Sequence, residues 1–126
     1  MGEEKDLLEN LRQELRRGTL ILSVLSQMKE PKYGYALVQS LEEKGVEIEA
    51  NTLYPLLRRL EKQGLLKSAW DTQEAKPRKY YSRTALGNFM YAEMKKQWSA
   101  VSATMNALLQ EECAYDRSRQ SADATL

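Results

Sequence analysis

Residues 51–83 read Asn51-Thr52-Leu53-Tyr54-Pro55-Leu56-Leu57-Arg58-Arg59-Leu60-Glu61-Lys62-Gln63-Gly64, then Leu65 to Trp70, then a polar loop to Pro77, and finally Arg78-Lys79-Tyr80-Tyr81-Ser82-Arg83. Leu53, Leu56, Leu57 and Leu60 recur at helical spacing, so the first part predicts a helix over about 50–63 with Gly64 as its stop. Asn51 or Thr52 is placed to cap it, and Pro55, best tolerated in a first turn, puts the start close before it. Leu65–Trp70 and Arg78–Arg83 predict two strands of a hairpin around residues 71–77. The stretch is also a basic island. Arg58, Arg59, Lys62, Lys67, Lys76, Arg78, Lys79 and Arg83 face only Glu61, Asp71 and Glu74, a surplus of five positive charges in a chain whose net charge is +1. Charge gathered on one element can meet phosphates even when the total is near zero.

Upstream, Leu7, Leu8, Leu11 and Leu15 have helical spacing with charges between them and predict an amphipathic arm, residues 1–16. Gly18 is expected to loosen or bend the chain there. Thr19–Lys29 carries Leu20, Ile21, Leu22, Val24, Leu25 and Met28 and predicts a buried central helix, ended by Pro31. Tyr35–Lys44 predicts a second short helix, with Leu37, Val38 and Leu41 inward and Gly45 as terminator. Val46 and Ile48 alternate with Glu47 and Glu49, which suggests a short extended piece.

Downstream, Thr84 can cap a long helix of roughly 85–112. Tyr91, Met94, Trp98, Val101, Met105 and Leu108 recur at steps of three and four, a heptad seam of the kind that pairs two helices. The polar, alanine-rich segment 114–126 reads as a disordered tail. The expected organisation is therefore an arm (1–16), a DNA-binding unit (17–83), a dimerisation helix (84–113) and the tail.

Composition narrows the chemistry. One cysteine, Cys113, cannot form an internal disulfide, which fits a reducing, cytoplasmic setting, and it reads as an inert thiol. The chain has no histidine, glycine-rich phosphate loop, metal-spaced cluster or nucleophile with a plausible base, so the reading is neither an enzyme nor a metal or cofactor protein. The longest apolar run, Leu20–Leu25, is too short to span a bilayer.

Three helices and a hairpin in this order make a winged helix-turn-helix, mainly α and α+β only through the wing. In such folds the third helix enters the major groove and the wing lies on backbone or minor groove. Arg58 and Lys62, four apart, share one face of that helix, and Arg59 is turned about 100° from Arg58, toward phosphates. Asn51, Thr52 and Tyr54 lie at the helix start, where N–H groups favour an anion. Lys76, Arg78 and Lys79 make the wing tip basic. Strand alternation puts Arg78 with Tyr80 and Lys79 with Tyr81 on opposite faces, so one tyrosine packs inward and the two cations cannot both face DNA alike. The blander alternatives are a solvated helix face and a charged hairpin tip that protects an edge. For Tyr54, phosphate contact and core cover stay equally open, while Tyr33 and Tyr35 read as core residues.

The segments Arg17-Gly18-Thr19-Leu20, Tyr33-Gly34-Tyr35, Thr52 to Glu61, Gly64-Leu65-Leu66 and Pro77-Arg78-Lys79-Tyr80-Tyr81, followed by Thr84 and Gly87, resemble the PadR family of bacterial transcriptional regulators. The likeness runs from about Arg17 to Trp98 and is similar to the smaller subfamily, in which one C-terminal helix makes the dimer. It implies a homodimer on a pseudo-palindromic operator in double-stranded DNA, usually a repressor. It further implies a planar aromatic effector at the dimer interface against a tryptophan of the last helix. Trp98 falls at the matching place, with Met94 beside it. The runner-up is a winged-helix module that binds protein instead of DNA.

Overall fold

The structure, a computed structural model of the chain, describes residues 2–73 and 75–124, with side chains through 112. Seven elements follow in order: α1 (Gly2–Ser26), β1 (Lys32–Tyr33), α2 (Gly34–Glu43), α3 (Ala50–Lys62), β2 (Leu66–Asp71), β3 (Arg78–Arg83) and α4 (Ala85–Ala124). The chain falls into two compact units, Met1–Ala92 and Glu93–Leu126. Among the described residues no helix is long and apolar enough to cross a membrane.

In the first unit, Val24 and Leu25 of the α1 end and Met28 just after it meet Leu37 and Leu41 of α2, the Leu53/Leu56/Leu57/Leu60 stripe of α3, Ile48, Leu66 and Tyr81 as the buried core. The expected stripe of α3 is all inside. Gly18 does not break α1, which is continuous. A lone glycine costs a helix about 1 kcal/mol, and the hydroxyls of Thr19, Ser23 and Ser26 donate to carbonyls one turn back within the same helix. Leu20, Ile21 and Leu22 are only half-buried, so the expectation of a fully buried helix holds for its last turn alone.

Both short helices end as their glycines predict. Gly45 (φ 89°) and Gly64 (φ 84°) adopt left-handed backbone. The residues after them, Val46 and Leu65, donate back to the Leu41 and Leu60 carbonyls at 2.8 and 3.0 Å, the six-to-one bond of a Schellman stop. The start of α3 differs from expectation. Its N-cap is Glu49 without a side-chain cap bond, so neither Asn51 nor Thr52 caps it, and Pro55 sits inside the helix as its sixth residue. The Thr52 and Leu53 N–H groups instead donate to the Glu49 carbonyl at 3.0 Å each, which satisfies the first turn from the backbone. Val46–Glu49 joins no sheet, although Ile48 is buried.

The sheet has three antiparallel strands in the order β1-β3-β2 instead of the expected two. β3 occupies its predicted span and is central, pairing Tyr80 with both Tyr33 and Ala69 and Tyr81 with both Lys32 and Ser68. Two residues of β1 are too few for an alternation to show in sequence.

Thr84 caps α4 as expected, accepting from the Gly87 N–H at 2.9 Å and donating to the Gly64 carbonyl at 2.6 Å. A Cβ on Gly87 would run into the Leu65 carbonyl, so this helix start is seated directly on the turn that ends α3. The helix then continues to Ala124, past its expected end near 112, because residues 113–124 contain neither glycine nor proline to stop it. The side chain of Cys113 and those of the expected tail lie outside the described residues.

Candidate nucleic-acid interface

Along its length α3 exposes Asn51, Thr52, Tyr54, Arg58, Arg59 and Lys62, while the four leucines of the same helix are buried. A 13-residue helix with apolar residues on one side and three cations on the other must show those cations to something outside the fold. Among the described residues, no ion pair or hydrogen bond engages the side chains of Arg58, Arg59 or Lys62.

A cleft of about 790 Å³ opens between the start of α2, α3 and the wing. Tyr35, Gln39, Tyr54, Arg58, Trp70, Arg78 and Lys79 are among its lining residues. Arg58 therefore shares a concavity with two wing cations, whereas Arg59 and Lys62 lie outside it. Tyr54 packs against the start of α2. It is 37% exposed, yet its ring covers Gly34 so closely that a Cβ there would come within 2.5 Å of Cε1. The tight seat fixes where α2 begins relative to α3.

Tyr35 corrects the sequence expectation. It is 68% exposed on the cleft, and its hydroxyl accepts a bond from Gln39 at 3.2 Å. Trp70, at 63% exposure, is a second aromatic that sequence reasoning left out of the site. Helix phase puts Leu37 in the core and turns Tyr35 outward, whereas Trp70 shares strand phase with the buried Leu66 and is open because it lies four residues on, at the wing end of β2. Tyr33 is half-buried: its ring packs edge-on to Tyr80 with centroids 6.0 Å apart, and its hydroxyl donates to Asp71 Oδ2 at 2.8 Å. Asp71 also accepts from the Gln73 N–H at 3.1 Å and lies opposite Arg78 in the hairpin register. The Tyr33 bond and the Gln73 bond, with a lesser contribution from the Arg78 charge, hold its carboxyl below the ordinary value of 3.8 against the opposing effect of burial. The Arg78 guanidinium lies 5.6 Å over the Tyr33 ring. Residues near the wing tip are thus braced by a tyrosine from β1, a strand invisible in the sequence.

The basic residues of the island separate into two groups. Lys76 and Arg78 are exposed. Lys79 is partly covered: its ammonium is 3.7 Å from Glu61 Oε2 and 5.3 Å over the Tyr81 ring. Tyr81 is the inward tyrosine of the pair, at 4% exposure. Arg83 leaves the island altogether. Its Nη1 donates to the Leu25 carbonyl at 3.1 Å, and its guanidinium stacks 4.4 Å over Tyr91, itself one of the expected seam residues.

In the second unit Trp98, Val101, Met105 and Leu108 are about half exposed, and Met94 is partly covered.

Residues 21–93 match the model of the Transcriptional regulator PadR-like family. The chain resembles a crystal structure of a PadR family transcriptional regulator from Eggerthella lenta, with 51% identity and a TM-score of 0.80 over 86% of this chain and 97% of that one. It is 31% identical over 84 residues to Transcriptional regulator Rv3488 of Mycobacterium tuberculosis, covering 66% of this chain and 78% of that protein. A crystal structure of Bacillus subtilis PadR in complex with operator DNA shares the fold, at 20% identity and a TM-score of 0.56 over 60% of this chain and 45% of that one.

Proposed function

The chain belongs to the PadR-like family of transcriptional regulators, and from that premise we propose that it is a homodimeric repressor that reads a pseudo-palindromic operator in double-stranded DNA. Its α3 enters the major groove. Arg58, with Asn51, Thr52 and Tyr54 ahead of it, meets base edges, and Arg59 and Lys62 reach phosphates. The wing follows the backbone through Lys76 and Arg78. The observation that carries this reading is the set of three unengaged cations on the exposed face of α3, next to a cleft whose far wall is the basic wing. A helix-borne arginine in a groove of that kind has the reach and planarity to pair with guanine. That Bacillus subtilis PadR, which shares the fold, is seen in complex with operator DNA supports DNA binding as the role.

Dimerisation is assigned to α4, through Tyr91, Met94, Trp98, Val101, Met105 and Leu108, with residues 17–83 as the DNA-binding unit. The exposed apolar spacing along that helix supports it. An effector, if one is used, is a planar aromatic compound that stacks on Trp98 with Met94 as an adaptable wall.

The test is fluorescence anisotropy with duplexes recovered by capturing genomic DNA on the protein, repeated across a salt series. Saturable binding whose affinity falls steeply with salt, and a preference for captured over random sequence, is the expected result. Absence of salt-sensitive binding to any duplex would favour a protein-interaction module. Quenching of tryptophan fluorescence by planar compounds, lost in Trp98→Ala but kept in Trp70→Phe, tests the effector site.

A further inference from the structure

We propose that Glu61 is a positioning residue for DNA binding: it ties the recognition helix to both strands of the wing and withdraws Lys79 from the phosphate-facing charge. This rests on the DNA-binding reading above and adds the division of labour within its basic island.

One carboxylate makes both ties. Its Oε1 accepts from the Ser68 hydroxyl on β2 at 2.6 Å, and its Oε2 lies 3.7 Å from the Lys79 ammonium on β3. Bonds to a charged carboxylate are among the stronger polar contacts a protein makes. The surroundings set this pair apart from the other ion pairs. Glu61 and Lys79 are only 33% and 32% exposed, whereas the pairs Arg12–Glu9, Arg16–Glu47, Arg17–Glu14 and Lys96–Glu93 are between 45% and 86% exposed on each side. Those exposed pairs are largely screened by water and salt. Lys79 is held by a second feature, its approach to the ring of the buried Tyr81, which lies on the same face of β3. Lys76 and Arg78 stay exposed, Arg78 with its guanidinium over the Tyr33 ring instead.

The position of Glu61 explains why the tie matters. It lies three residues after Arg58, one turn along the helix and close to the same face. A bare carboxylate there would repel the phosphates that flank the bases Arg58 reads. With both oxygens engaged, the negative charge is spent inside the protein, and the wing is held at one angle to α3. The Lys79 charge is spent with it.

The experiment uses the full chain, a captured operator duplex and a random duplex, with binding measured by anisotropy over a salt series. Lys79→Met alone is expected to leave the salt slope as in the wild type. Glu61→Gln keeps an acceptor for Ser68 but frees Lys79, and it steepens the slope by about one phosphate contact, roughly 0.9 in log K per log salt. Lys79→Met added to Glu61→Gln restores the wild-type slope. Ser68→Ala leaves the slope alone and lowers the operator-to-random ratio several-fold, because the wing loses its stronger anchor. A slope flattened by about one in Lys79→Met alone would show that Lys79 already sits on a phosphate and would overturn the inference while leaving DNA binding intact. An unchanged slope in Glu61→Gln overturns it equally. Wild-type protein with no salt-sensitive duplex binding removes the DNA-binding reading, and this inference with it. Circular dichroism of each variant separates these outcomes from misfolding, and Lys79→Met preserves the stem over Tyr81.

Discussion

The two units of the chain differ in where their apolar surface goes. Up to Ala92, leucines from three helices and a strand close on one another, and Leu25, Leu37, Leu41, Leu53, Leu57, Leu60 and Leu66 are nearly or wholly inaccessible to solvent. From Glu93 to Glu112 no described side chain is buried, and Trp98, Val101, Met105, Leu108 and Leu109 all stand about half open. The first unit is stabilised by its own core, although Leu7, Leu8, Leu11 and Leu15 of α1 stand 57–79% open outside it. The second has the spacing of a seam and no described filling for it, which in water is an unfinished structure. On the proposed reading, the difference teaches that one chain carries one reading head and half of a pairing device.

The largest effect should come from breaking the pairing device. Val101→Glu with Met105→Glu puts two carboxylates into a seam where like charges from both chains would meet. Sedimentation should then report a monomer, and operator affinity should fall by about 10²–10⁴-fold as the two half-sites cease to be bound together. Circular dichroism of the winged unit should be little changed. A dimer that survives the double substitution would place the interface elsewhere and undo the contrast between the units.

Next in size is the core of the reading head. Leu57 is fully inaccessible in the middle of α3. Leu57→Ala should lower the unfolding free energy by about 2–5 kcal/mol, from lost transfer energy and the cavity left behind. Urea denaturation at fixed protein concentration measures it. Val101→Ala in the same assay should shift stability mainly through dimer dissociation and hence depend on concentration. Equal, concentration-independent losses at both sites would erase the distinction.

Local periodicity made much of the first unit legible. The leucine stripe of α3, the span of β3, the two glycine stops and the Thr84 cap all follow from residues within one turn of each other. What could not be read was long-range. Arg83 resembles its basic neighbours in sequence, yet its guanidinium ends on a carbonyl 58 residues away. Lys79 is adjacent to Arg78 and is drawn instead to Glu61 by strand phase. Tyr35 reads as core because it sits in an aromatic-rich stretch, but helix phase turns it to solvent. The extra strand β1 gains its identity only by lying beside β3. For the second unit the same periodicity gives spacing and nothing more, since no side chain described from Glu93 to Glu112 is buried.

Arg58→Ala should have a moderate effect. Among the described residues its side chain has no partner to lose, so fold stability should move by less than about 0.5 kcal/mol, as for ordinary surface changes. Operator affinity should fall by about 1–3 kcal/mol with relaxed preference at one base position in each half-site. Anisotropy against a panel of single-base operator variants reads both. An equal loss on all sequences would move Arg58 from base to phosphate and leave the cleft a backbone clamp.

The smallest expected effect concerns the wing tip, where polar contacts replace the core as the source of order. The Asp71 carboxyl titrates below its ordinary 3.8 because the Tyr33 hydroxyl, the Gln73 N–H and Arg78 all favour its charged form. The sign follows from linkage. A group whose folded value is depressed contributes stability above its unfolded value and loses it as pH falls through the folded one. The wing tip should therefore be indifferent to pH from about 5 to 8, where an ordinary aspartate is already ionised. The chain contains no histidine to introduce a transition there. Below about pH 4 the proton that reaches Asp71 weakens the Tyr33 bond, and the neighbouring Trp70 reports it. In a Trp98→Phe background, Trp70 fluorescence should be flat through neutrality and step only in acid. Asp71→Asn should remove that step. A step at neutral pH, or one that persists in Asp71→Asn, would mean that the wing is held by something other than this carboxylate. The reading head would then be less self-sufficient than its core suggests.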